Sequence, residues 1–241
     1  MEVKEKPPVS APVRSLTKPK GKKIGLKQLQ QKVFKRVLIS DERLKAMLGN
    51  ISDAFDIILF GSSGSGKSNL AAVMIKEMVK AFKCKCTVVS YEEGHEATLQ
   101  DTLINRHKLL EEIGNSVQIW DHLTFDELCK EMSRRKSAKL WVIDSIQTSF
   151  FTAQQCEYLR STYVLGKKKK IIIWVSWADG DTARGAVGKS VQYWAAIKIQ
   201  VKKRIAFPIS NRFGGKKNYI IDDEAARKMW TVKDYNKHKK G

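Results

Sequence analysis

Apolar residues fall along this chain in short continuous runs, separated by polar stretches in which apolar positions recur at helical spacing. The runs 55–60, 86–90, 117–120, 139–145 and 171–176 are rich in Ile, Val, Leu, Phe and Trp and read as buried strands. After the first run, Leu70, Val73, Met74, Met78, Val79 and Phe82 fall on one face of a helix. A second helix is expected over 97–112. Thr124 and Glu127 form a capping box that opens a third, reaching about Arg135. Residues 41–48 form a short helix stopped by Gly49 and Asn50. Farther on, Tyr193 to Val201 reads as a strand with Ile197, Ile199 and Val201 on one face. Apolar strands alternating with amphipathic helices predict an α/β domain: a mainly parallel, twisted sheet flanked by helices.

The first junction carries the chemistry. Between the strand at 55–60 and the helix from Leu70 lie Gly61, Ser62, Ser63, Gly64, Ser65, Gly66, Lys67 and Ser68. This is the full G-x-x-x-x-G-K-[ST] phosphate-binding pattern, in the strand–loop–helix context that it requires. Glycines let successive backbone N–H groups turn inward toward phosphate oxygens, and the helix N-terminus that follows adds favourable potential for an anion. Residues 61–69, Asn69 included, are the expected ATP-binding stretch. Lys67 brings a point charge to the β- and γ-phosphates, and Ser68 is placed to ligate Mg²⁺.

Two further strand ends carry carboxylates. The run 86–90 leads into Tyr91, Glu92, Glu93 and Gly94, at the sheet edge where ligands of open α/β sheets sit. A carboxylate there would orient and activate water for attack on a γ-phosphate. The alternative is an acidic first turn complementing the dipole of the following helix. The run 139–145 ends in Asp144, an expected Mg²⁺ ligand acting through water; the bland alternative is a turn aspartate.

Composition changes the picture in one respect. The chain of 241 residues has 45 Lys and Arg against 25 Asp and Glu, a formal charge of +20, which points to a polyanionic partner. Residues 1–23 hold four prolines and few large apolar groups, and read as a disordered basic arm. Residues 24–50 form a helical lead-in, in which Leu26, Leu29, Val33 and Val37 fall at helical spacing; they either cap the domain, the default, or reach a neighbouring subunit. The ATPase domain spans 51–232 and a basic tail 233–241. Cys84, Cys86, Cys129 and Cys156 show no zinc spacing and read as small buried hydrophobes. No apolar run reaches membrane-spanning length and the N-terminus lacks a signal-peptide core, so a cytoplasmic location is expected.

The segment Val142 to Thr148 resembles the Walker B region of RecA-superfamily ATPases, most nearly that of RadA/Sms-type repair proteins. Val88 to Glu93 resembles the superfamily strand that ends in the catalytic glutamate, with Glu92 in register and Glu93 next to it. Leu48 to Ile51 is similar to the family's leucine-glycine-glycine lead-in. Asn211, Arg212, Phe213 and Gly214 match the end of the lysine-asparagine-arginine-phenylalanine-glycine motif, with Ser210 in place of lysine. The resemblance covers roughly residues 40–230, without the zinc finger or Lon-like domain of those proteins, as in stand-alone cores of viral and mobile-element genomes.

That resemblance implies a RecA-like core that binds ATP and Mg²⁺, assembles into a ring or filament, and acts as a DNA-dependent ATPase on single-stranded DNA in recombination, repair or replication. It implies catalysis by Glu92 and Lys67, with Arg212 as a trans finger on a neighbour's γ-phosphate and Lys203 and Arg204 as rivals. It places a sensor at the end of the 171–176 strand, where Ser176 stands instead of Gln or His. It places a mobile DNA-contacting loop at 178–190, with Arg184 and Lys189 on phosphates, and a second DNA loop at Phe150 and Phe151, which either stack on bases or join the core. Two other classes fit part of the pattern: a small-molecule P-loop kinase, and a DNA-binding structural protein with a degenerate ATPase core.

Overall fold

The structure, a computed structural model, describes residues 23–33 and 36–241. The expected basic arm, Lys23 apart, lies outside the described residues. The strands β1 (Asp56–Gly61), β2 (Cys86–Ser90), β3 (Val117–Trp120), β4 (Leu140–Asp144) and β5 (Ile171–Asp179) answer the five apolar runs. With β7 (Ile197–Lys202), β8 (Ile205–Asn211) and β9 (Tyr219–Ile220) they form one sheet in the order β3-β2-β4-β5-β1-β7-β8-β9. A two-residue strand, β6 (Thr182–Ala183), pairs with the end of β5. From β3 to β7 all neighbours are parallel; β8 and β9 close the edge antiparallel.

Helices cover both faces because every central strand is apolar on both. Ile57 and Leu59 face one core and Ile58 and Phe60 the other, as period-two side chains must. The first core is filled by Leu70, Met74, Ile75 and Met78 of α3 (Lys67–Phe82) and by α2 (Glu42–Leu48), whose N-cap Asp41 accepts from Arg43 N and Leu44 N. The second is filled by Leu128 and Met132 of α6 (Phe125–Ser133), Cys156 and Leu159 of α7 (Ala153–Leu159), and Val191 of α8 (Gly185–Trp194). The buried Asp56 carboxylate at the start of β1 joins three elements. It accepts from Arg160 Nε at 3.0 Å and from Ala196 N at 3.1 Å, and the Arg160 guanidinium lies over the Trp194 ring. Cys86, Cys129 and Cys156 are buried and Cys84 partly so, and no disulfide joins any of the four. Among the described residues no helix is long and apolar enough to cross a membrane.

The fold departs from the expected elements at several places. The helix expected over 97–112 is broken into α4 (Ala97–Gln100), a π-turn over Asp101–Arg106 and α5 (Leu109–Ile113), with Lys108 in the left-handed region. In the lead-in, helix α1 covers only Leu26–Gln30. Leu26 and Val33 are 85% and 95% exposed, so this segment does not cap the domain; Ile39 is its buried anchor. Residues 178–190 are not a loop. They finish β5, turn through a hairpin to β6 and begin α8. Gly188 is there because α8 packs close: a Cβ would meet Ser176 Oγ at 3.0 Å and Gln147 Nε2 at 3.2 Å. Tyr193 and Trp194 close that helix, so the expected strand begins only at Ile197. Most of the expected basic tail is helix α10 (Val232–Lys240), held by the buried Tyr235, after α9 (Asp223–Met229).

Candidate nucleotide site

The site begins where β1 ends. The loop from Gly61 turns into α3 through Gly66, whose φ of 110° is one that L side chains rarely adopt. Ser62, Ser63 and Gly64 stand exposed, Ser65 and Gly66 are buried, and Ser68 and Asn69 are half-buried on the first turn of α3. The Lys67 side chain folds back into the bowl, where Nζ donates to Gly61 O at 3.0 Å and Ser62 O at 2.9 Å. Burial pulls its pKa below the usual lysine value, and the Asp144 and Glu92 carboxylates push it back up. Asn69 Oδ1 is held from the side by His107 Nε2 at 3.0 Å and Arg106 Nη1 at 3.4 Å.

The carboxylates reach the same edge because β2 and β4 are in register there, Ser90 opposite Asp144. Glu92 N donates to Asp144 O at 3.2 Å. Burial, then Glu92, then Glu93, pushes the Asp144 carboxyl up to about 7, against the lowering pull of Lys67. Geometry separates the two glutamates. Glu93 accepts from Thr98 Oγ1 at 2.9 Å and is turned to the start of the next helix. Glu92 points across the sheet edge, where Oε2 accepts from Trp177 Nε1 at 2.8 Å.

Trp177 is a site residue that the sequence reading passes over by one position. β5 runs on to Asp179, so Ser176 is not a strand end. It is fully buried, accepting from Gln147 Nε2 at 2.9 Å and donating to Trp177 O at 2.8 Å. Its neighbour Trp177 lies in register with Gly61. Strand parity carries the signal: Ile171, Ile173 and Val175 share the core of α3, and Trp177 is next on that face. Gln147 is the second omission. Besides Ser176, it bonds Trp177 N through Oε1 at 3.0 Å and Arg184 O through Nε2 at 3.0 Å. It thus ties the segment after Asp144 to the start of α8.

Arg184 and Lys189 are both exposed, but on a helix rather than a loop. Arg184 is the N-cap of α8; its guanidinium lies over the Trp177 ring at 5.5 Å and its Nε stands 3.7 Å from Asp179 Oδ1. Lys189 lies on a different side of α8, beside Tyr193 in a cleft of about 400 Å³ shared with Gln154 and Glu157 of α7. The two phenylalanines after Asp144 divide: Phe151 is 6% exposed and in the core, Phe150 is 87% exposed.

Arg212 is not near this site in its own chain. It follows Asn211, which pairs with Ile197 opposite Ile57, whereas the phosphate-binding loop leaves the other end of β1. The surrounding motif has architectural work there. Asn211 Nδ2 donates to Met47 O and Leu48 O, each at 3.0 Å, Asn50 N donates to Phe213 O, and the Phe213 ring packs edge-on against Phe55. Together these contacts close the C-terminal end of α2.

Among the described residues no group of three or more His, Cys, Asp or Glu side chains forms a metal cage. Mg²⁺ held by one or two protein oxygens together with phosphate and water needs none. The hydroxyl of Ser68, on the first turn of α3, and the carboxyl of Asp144, at the end of β4, are oxygen donors that fit that pattern. The raised pKa of Asp144 reflects burial first, then the neighbouring carboxylates, with one ammonium to offset them.

No protein-family model matches the chain, nor does any curated protein sequence. Solved structures do. The chain is similar to the flagellar accessory protein FlaH from Methanocaldococcus jannaschii, with a TM-score of 0.57 and 18% identity over 77% of this chain and 93% of that one. It is also similar to the KaiC-like protein PH0186 from Pyrococcus horikoshii OT3, with a TM-score of 0.58 and 20% identity over 78% of this chain and 94% of that one. At that identity the likeness is one of fold: this chain has a RecA-like α/β core, with a mostly parallel sheet flanked by helices.

Proposed function

We propose that this protein is an ATPase that binds MgATP at residues 61–69 and couples hydrolysis to single-stranded DNA, in the manner of RadA/Sms-type repair proteins. The observation that carries the reading is the convergence of Lys67, Asp144 and Glu92 on the sheet edge where the phosphate-binding loop opens. Backbone N–H groups of the loop and the Lys67 ammonium bind the phosphate chain, Lys67 exchanging its own loop's carbonyls for phosphate oxygens. Ser68 and Asp144 would hold Mg²⁺, which when bound would neutralise charge on the phosphates. Glu92, oriented by the Trp177 indole, accepts the proton of the attacking water.

The DNA partner is inferred from charge and exposed rings. The formal charge of +20 favours a polyanion. Arg184 and Lys189 present free faces on α8, and Phe150 and Tyr193, 87% and 83% exposed, offer rings on which bases stack. Arg184 also touches Trp177, which gives DNA contact a short route to Glu92. Assembly with further copies is supported by the exposed apolar side chains Leu26, Leu29 and Val33, which find no cover within the chain's described residues. Arg212 lies remote from its own phosphate-binding loop, and the trans contact on a neighbour's γ-phosphate is assigned to it here.

The test is phosphate release from MgATP with and without single-stranded DNA, beside nucleoside acceptors in place of DNA. Turnover stimulated by DNA and indifferent to nucleosides supports the proposal. Phosphate transfer to a nucleoside would identify a kinase, and DNA binding without turnover would identify a structural protein.

A further inference from the structure

We propose that Arg204 is a ligand of the nucleotide's phosphate chain in its own subunit; this rests on residues 61–69 being the nucleotide site. Lys203 and Arg204 form the two-residue turn between β7 and β8, and that turn sits on the phosphate-binding loop. Arg204 N donates to Ser65 O at 2.9 Å, and Arg204 O accepts from Ile221 N at 2.9 Å, so its backbone is fixed from both sides. The side chain runs along Gly66: a Cβ on that glycine would lie 3.2 Å from Arg204 Cδ and 3.6 Å from Nη1. The guanidinium is therefore beside the turn at which the loop becomes α3.

Three consecutive cations, Lys202 at the end of β7 and the two turn residues, lie at this hairpin tip, and two are already engaged. Lys202 Nζ pairs with Asp181 Oδ1 at 2.6 Å. Lys203 Nζ lies over the Trp230 ring at 5.0 Å, and its carbonyl accepts from Trp230 Nε1. Arg204 has no carboxylate within ion-pairing distance among the described residues, and its Nε is buried without a hydrogen-bond partner. Beneath it the Ser65 hydroxyl is likewise buried and unpartnered. Buried polar atoms are rarely left unpaired, so two orphans on segments that meet at an anion-binding loop point to an absent anionic group.

The turn chemistry argues the same way. Lys203 and Arg204 have φ of 44° and 65°, the left-handed region that two-residue hairpins normally fill with Asn-Gly or Gly-Gly. Two long cations are poor turn formers there, and the geometry of the turn does not account for them. A guanidinium presented to the phosphate-binding loop does. Because Arg204 approaches at Gly66 from the β7–β8 side of β1, whereas Glu92 follows β2 on the other side of it in the sheet, it serves phosphates common to ATP and ADP rather than the γ-phosphate alone.

The experiment is equilibrium binding of MgATP and MgADP to protein diluted until sedimentation shows monomers, for wild type, Arg204→Gln and Arg204→Lys. Arg204→Gln is expected to weaken both nucleotides on the order of tenfold and Arg204→Lys less. Thermal melting without nucleotide controls for folding, and the lysine variant keeps the comparison open if the glutamine variant melts early. Unchanged affinity in folded Arg204 variants would overturn the proposal. So would normal monomer binding with turnover lost only in assemblies, which would make Arg204 a finger in trans. Failure of wild type itself to bind either nucleotide would remove the nucleotide site and this proposal together.

Discussion

The Trp177 indole N–H donates to the Glu92 carboxylate at 2.8 Å, joining the end of β5 to the end of β2 across the edge of the sheet. The bond fixes one oxygen of the candidate base and aims the carboxylate toward the phosphate-binding loop. A neutral donor to a charged acceptor of this kind contributes about 1.5–3 kcal/mol to positioning. Trp177→Phe keeps the ring and removes the donor. It should lower kcat about tenfold or more while leaving KM for ATP nearly unchanged, a split read from steady-state phosphate release. A rise in KM at constant kcat would mean that the indole serves binding instead.

The Arg184 guanidinium lies over the face of that ring at 5.5 Å, so under the proposed function α8 would join DNA contact to the site. Arg184→Ala combined with Lys189→Ala should bind single-stranded DNA more weakly and lose most of its stimulation. If each side chain neutralises one phosphate, the salt slope of binding flattens by roughly 1.4, at about 0.7 per contact. A double variant with the wild-type slope and stimulation would place the DNA elsewhere.

The central strands and the site's principal residues were legible because their signals are local. An apolar run ending in Asp144, and another leading to Glu92, need no knowledge of their neighbours. The region after β5 was not legible, because its logic is tertiary. Gly185 and Gly188 read as loop residues in a sequence, yet Gly188 exists so that α8 can lie against Ser176 and Gln147. Trp177 was displaced by one position because the apolar run appears to stop at Val175, while β5 continues through polar residues to Asp179. Strand β8 gave no alternating pattern. It carries Pro208 at a register shift and lies next to the sheet edge, and only its first two residues are buried. The candidate role of Arg212 comes from a recognisable motif, while the tertiary work of its neighbours Asn211 and Phe213, closing the end of α2, is not legible in that motif.

Burial and the neighbouring Glu92 and Glu93 push Asp144 up to about 7, while its ordinary value is 3.8. Between those two values the folded chain holds a proton that the unfolded chain has released. Stability therefore falls as pH rises through that window, and the deficit is complete above pH about 7. Asp144→Asn removes the titration. The metal-free variant should melt above wild type at pH 8, and the advantage should be smaller at pH 5 and vanish only below the ordinary value of 3.8, where the unfolded chain is protonated too. Melting in the presence of a chelator at the two pH values checks this; equal advantages at both would contradict it. The same substitution should abolish Mg²⁺-dependent tightening of ATP binding.

Asp56 depends on one cation. Burial raises its pKa, and the Arg160 guanidinium offsets part of that rise. Arg160→Ala leaves the carboxylate buried and unpaired, at a cost of about 3–5 kcal/mol at pH 7 by urea unfolding. Without the offset the folded pKa climbs further. The penalty is then full above that pKa and shrinks as the pH falls through it, so the loss at pH 5 should be smaller than at pH 7. A loss independent of pH would assign the effect to packing on Trp194 instead.

The central claim is that Lys67, Asp144 and Glu92 form one hydrolytic site with Glu92 as its base, and one comparison tests it most directly. Phosphate release and MgATP affinity are measured in parallel for wild type, Glu92→Gln and Glu93→Gln, with single-stranded DNA present. The account predicts that Glu92→Gln binds MgATP like wild type and turns over on the order of 10²-fold more slowly or worse, while Glu93→Gln stays within a few-fold of wild type. Wild-type turnover in Glu92→Gln, or the loss falling on Glu93→Gln instead, would contradict it.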